Sequence, residues 1–105
     1  MEKKAETFIT SITAFELLLE ANLSSRRTER MTEVESLLNQ HNILPFGRNE
    51  ASKAAEKGAE LKTKGAMIEI RDLFNASICL SEKIPILTSN EAHYERITEL
   101  LIQTP

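Results

Sequence analysis

Cysteine occurs once in this 105-residue sequence, glycine and proline three times each, and tryptophan not at all. The single Cys79 excludes an internal disulfide framework and makes a reducing cytoplasm the expected compartment. The scattered glycines form no phosphate-cradling loop, and no G-x-S-x-G elbow occurs. No apolar run approaches membrane-spanning length, so no membrane association is expected, and the opening MEKKAETF lacks the apolar core of a signal peptide. Basic charge is not in excess: 13 Lys and Arg face 16 Asp and Glu, a net charge of −3. That balance argues against a surface coated for nonspecific nucleic-acid binding. It leaves room for a local site where a metal held by carboxylates meets a phosphate. His41 and His93 lack metal-ligand spacing and Cys79 has no cysteine partner, which argues against zinc. Cys79 reads as a small buried residue rather than a nucleophile.

What is present describes an ordinary globular domain. Hydrophobic residues make up 41% and charged residues 28%, and the length suits one compact domain. TFITSIT, residues 7–13, alternates and is β-branched, which predicts a strand. AFELLLEANL follows as a helix, and Thr13 with Glu16 spells the T-x-x-E of a capping box. SSRRTERM breaks the pattern, and Arg26, Arg27 and Arg30 form a cluster that reads first as a solvated surface and second as a phosphate contact. Met31, Val34, Leu37 and Leu38 then recur at helical spacing. NILPF, residues 42–46, is a short strand that Pro45 confines to an edge.

Residues 49–64 predict a polar helix with a small-residue face, in which Gly58 costs about 1 kcal/mol relative to alanine. Gly65 ends it. Residues 69–82 predict another helix with Ile70, Leu73, Phe74, Ser77 and Ile78 on or near its buried side. IPILT is a strand, NEAHYERI a short helix and LLIQT a final strand. Helices separate the strands, so the expected fold is α/β, with a mostly parallel sheet covered by helices on both faces.

Such sheets bind ligands beyond the carboxyl ends of their strands, where helices begin. Three polar residues fall near those junctions. Glu16 follows the first strand, Asp72 lies in the first turn of its helix, and Asn90 follows IPILTS. Each also has a plain explanation: a capping-box glutamate, a surface aspartate favoured by the helix dipole, and an N-cap. Asp72 has small neighbours at i+4 and i+7, Ala76 and Cys79, with Ser77 adjacent. These would let the helix start approach the strand ends closely.

Taken in order, ITSITAFELLL, IRDLFNASICL and IPILTSNEAHYERI resemble the PIN-domain ribonucleases, closest to the VapC-type toxins of prokaryotic toxin–antitoxin pairs. The resemblance spans essentially the whole chain and implies a three-layer α/β/α sandwich. Glu16 occupies the place of the family's glutamate. Asp72 matches the aspartate of a D-x-x-I-A-A-like pattern, and LTSNEAHY fits L-T-x-N/D-x-x-H/Y-F through Thr88, Asn90 and Tyr94. The resemblance implies that Glu16, Asp72 and Asn90 are catalytic and hold one or two Mg2+ or Mn2+ ions, with Thr88 in support. It also implies an RNA substrate, an antitoxin partner and a homodimer. The family's opening D-T-N-x-L strand has no counterpart here. Residues 1–105 are therefore expected to form a single PIN-like domain without its usual first strand and helix.

Overall fold

The computed structural model describes residues 8–89 and 91–104, and Asn90 lies outside the described residues. The chain forms two compact units, the first closing at Pro45 and the second opening at Phe46.

In the first unit, β1 (Phe8–Thr10) runs into α1 (Ser11–Leu23), followed by α2 (Arg27–Asn39) and β2 (Asn42–Leu44). β1 pairs with β2 in parallel, with Phe8 opposite Asn42 and Thr10 opposite Leu44. The strand expected over residues 7–13 is shorter than its alternation suggested. Thr10 Oγ1 accepts from the Thr13 N–H at 3.0 Å and so caps α1 three residues earlier than the T-x-x-E pattern implied. Glu16 consequently lies in the second turn of α1, not at a capping-box position. β2 ends before Pro45, whose ring nitrogen has no proton to donate to a ladder.

α1 buries Ala14 and Ala21 but leaves Phe15 and Leu23 53% and 77% exposed. On α2, Met31, Val34 and Leu38 are half-buried and Leu37 is exposed. The arginine cluster is engaged locally. Arg26 pairs with Glu29, Arg27 Nε donates to Asn22 Oδ1 at 2.9 Å, and Arg30 pairs with Glu33 at 3.2 Å. Its reading as a solvated surface holds.

The second unit contains α3 (Arg48–Thr63), α4 (Ile70–Glu82), β3 (Ile86–Leu87), α5 (Glu91–Tyr94) and β4 (Ile102–Gln103). β3 and β4 are parallel, with Ile86 opposite Ile102 and Leu87 opposite Gln103. Parallel pairing in both ladders follows from the helices that separate the paired strands. Among the described residues, no ladder exceeds two strands.

α3 starts when the Gly47 N–H donates to Glu50 Oε1 at 2.8 Å. It ends in a Schellman turn. Ala66 N–H reaches the Leu61 carbonyl at 2.8 Å and Gly65 N–H the Lys62 carbonyl at 3.1 Å, with Gly65 at φ 66°. Gly58, unfavourable by helix propensity, has a packing reason: a Cβ there would stand 3.2 Å from Leu73 Cδ2 on α4.

The core of this unit gathers Ala54 and Leu61 of α3, Leu73, Ala76 and Cys79 of α4, Ile86, Tyr94 and Ile97. Ile70, expected near the buried side, is 60% exposed. Lys57 is buried yet paired. Its Nζ donates to Thr98 Oγ1 at 2.9 Å and lies 3.7 Å from Glu60 and 3.5 Å from Glu99. No helix among the described residues is long and apolar enough to cross a membrane.

Candidate functional site

The site begins at the amino end of α4. Glu69 precedes the helix in extended backbone, and its carbonyl accepts from the Leu73 N–H at 3.1 Å. Asp72 is thus the third helical residue, where the unpaired N–H groups of the first turn favour a negative side chain. Beneath it Ala76 and Ser77 are fully buried, and Cys79 nearly so. The small side chains anticipated on this part of the helix are packed inward.

Both oxygens of Asp72 are engaged. His93 Nε2 donates to Oδ2 at 3.0 Å, and the Tyr94 hydroxyl donates to Oδ1 at 3.0 Å. A carboxylate oxygen accepts, so the contact to Oδ2 pairs it with a proton on His93 Nε2. Asp72 and His93 side chains are 31% and 25% exposed, so the group lies at a rim, neither in open solvent nor sealed in the core. Tyr94 is 6% exposed, with its ring among the core residues and its hydroxyl at the carboxylate. His93 and Tyr94 rings meet edge-on with centroids 5.6 Å apart.

Short elements bring these groups together. β3 ends at Leu87, and Thr88 extends its ladder through an N–H to the Gln103 carbonyl at 3.0 Å. The chain then enters α5, which is confined to Glu91–Tyr94, shorter than NEAHYERI suggested. Its last two residues face Asp72. Thr88 is half-buried at the end of the β3–β4 ladder. Glu16 is half-buried on α1 of the first unit. Asn90, expected as ligand or N-cap, falls outside the described residues.

Of the anticipated residues, Asp72 is held at both carboxylate oxygens. His93 was not anticipated as its partner. The motif match put a histidine beside Tyr94 without giving it a role, and its contact with Asp72 spans 21 residues. Among the described residues, no group of three or more His, Cys, Asp or Glu is arranged to hold a metal ion. The cysteine offers no alternative chemistry, since burial raises the Cys79 thiol from 9.0 to about 11.

Comparison with known proteins gives a consistent answer. The PIN domain family model matches residues 1–100. The ribonuclease VapC of Rickettsia bellii is 29% identical over 102 residues, covering 94% of this chain and 76% of that protein. The structure of VapBC-1 from nontypeable Haemophilus influenzae superposes with a TM-score of 0.91 at 25% identity, covering 99% of this chain and 78% of that one. DNA-bound VapBC from Salmonella typhimurium gives 0.89 at 27% identity, with 92% and 74% covered.

Proposed function

Because this chain belongs to the PIN-domain family, in its VapC-type branch, we propose that it is a divalent-metal-dependent endoribonuclease, the toxin of a toxin–antitoxin pair. The observation that carries this reading is the Asp72 carboxylate. It stands at a helix amino end, half-exposed, with its orientation set by His93 and Tyr94.

The donor chemistry fits a hard cation. Mg2+ prefers oxygen ligands, retains several waters and is usually held by only one or two carboxylates together with substrate phosphates. A carboxylate offers about four acceptor positions, of which His93 and Tyr94 take two. Asp72 would hold the ion, and the family motif marks Glu16 and Asn90 as further oxygen donors, with Thr88 in support. The chemistry that a bound Mg2+ or Mn2+ supplies is acidification of water and neutralisation of charge on phosphate oxygens. The chain's own part is to hold the Asp72 carboxylate at a rim that substrate can reach. RNA phosphodiesters are the substrate class. The cytoplasm is the proposed site of action, and an antitoxin and a second copy of the chain are the proposed protein partners.

A second reading, an inactive module that retains a binding surface, is favoured by α1. There Phe15, Leu19 and Leu23 stand 53%, 41% and 77% exposed, an apolar face suited to an antitoxin segment or another copy. Incubating the purified chain with RNA in Mg2+ or Mn2+, with and without EDTA, decides between the two. The nuclease reading expects cleavage that EDTA stops and added metal restores. Intact RNA under every divalent cation, together with retained antitoxin binding, would establish the module.

A further inference from the structure

We propose that Tyr94 is a positioning residue for Asp72, fixing the carboxylate in the attitude that a divalent ion requires. The inference deepens the nuclease reading and rests on it. Three observations carry it. The Tyr94 hydroxyl donates to Asp72 Oδ1 at 3.0 Å. Its ring is 6% exposed and belongs to the same core cluster as Ala54, Ala76 and Cys79, so neighbouring side chains hold its rotamer. Asp72 itself is 31% exposed, at the rim rather than in the core cluster.

The tyrosine thus connects a rigid interior to a side chain at the rim. A carboxylate held by one hydrogen bond can still turn about its last torsion. Held at both oxygens it cannot, and of the two donors Tyr94 is the one fixed by the core. His93, 25% exposed, is the more adaptable partner. Groups that orient a ligating carboxylate commonly change metal affinity roughly 10- to 100-fold when removed. Phenylalanine would preserve the ring and delete only the hydroxyl. At a half-exposed oxygen, water can replace the lost donor without restoring the orientation.

The test is Mn2+ binding to the intact chain by isothermal titration and by the electron paramagnetic resonance signal of free Mn2+, for wild type, Tyr94→Phe and Asp72→Asn. Thermal unfolding of the metal-free proteins runs alongside. Tyr94→Phe is expected to bind Mn2+ roughly 10-fold more weakly with its unfolding midpoint little changed, and Asp72→Asn to lose binding. Wild-type affinity in Tyr94→Phe, with binding lost in Asp72→Asn, would overturn the positioning role and leave the nuclease reading intact. A wild-type chain that binds no Mn2+ would overturn both.

Discussion

Cys79 and Asp72 lie two turns apart on α4 and have opposite fates. The cysteine is 5% exposed, and burial pushes its thiol from 9.0 up to about 11. The folded chain should therefore resist an aromatic disulfide reagent at pH 8 and react once unfolded in urea. The same shift has a sign for stability. An acid whose folded-state pKa is raised costs nothing while both states are protonated. As pH climbs through 9 the unfolded state ionises first, and stability falls until about 11. Two pKa units correspond to at most roughly 3 kcal/mol. Urea titrations at several pH values should show this loss in wild type, and Cys79→Ala should lack it. Asp72, by contrast, keeps its carboxylate at the rim because His93 and Tyr94 hold it there. The aspartate could be picked out from its place in the first turn. The motif match placed a histidine at position 93, but its contact with a residue 21 positions away could not be read from local spacing.

Helix ends show how far sequence signals reach at the scale of an element. Gly65 announced the end of α3 correctly, because its φ of 66° suits glycine and strains any other residue. α4 closes with the same turn, Ile84 N–H to the Cys79 carbonyl at 3.0 Å and Lys83 N–H to the Leu80 carbonyl at 3.2 Å. Its left-handed position, however, is Lys83 at φ 57°. Lys83→Gly should therefore stabilise the chain by about 0.5–1 kcal/mol, and Gly65→Ala should destabilise it by about 1 kcal/mol. Urea midpoints would check both. Propensity misled at the β1–α1 boundary for a similar local reason: Ser11, Ile12 and Thr13 are β-branched or small, yet the Thr10 cap commits them to helix.

Lys57 joins α3 to the turn at Thr98 and Glu99, and the magnitudes predict an unusual tolerance. Glu60 and Glu99 side chains are 40% and 73% exposed, so water would receive them if the lysine were removed. Lys57→Met keeps the buried stem and should change stability by less than about 1 kcal/mol. Lys57→Ala opens a cavity and should cost about 2–3 kcal/mol. Thermal and urea unfolding of the two variants would measure the difference.

For the molecule as a whole, the order of elements and three separated motifs made the family legible, and the match over residues 1–100 agrees with them. Glu16 lies on the helix that follows β1 and the LTSNEAHY stretch runs on from β3, whereas Asp72 opens α4 directly after α3, with no strand between them among the described residues. Less legible were the extents of short elements. α5 has one turn and β3 two residues, too few for any periodicity to mark their limits. The account as a whole rests on Asp72 as the group through which metal-dependent RNA cleavage proceeds. Single-turnover cleavage of RNA in Mn2+ by Asp72→Asn, a change of one oxygen for one nitrogen, tests that most directly. The rate should fall at least about 100-fold, as for loss of a group acting in the transition state, while the fold is retained by circular dichroism. A folded Asp72→Asn chain that cleaves at the wild-type rate would contradict it.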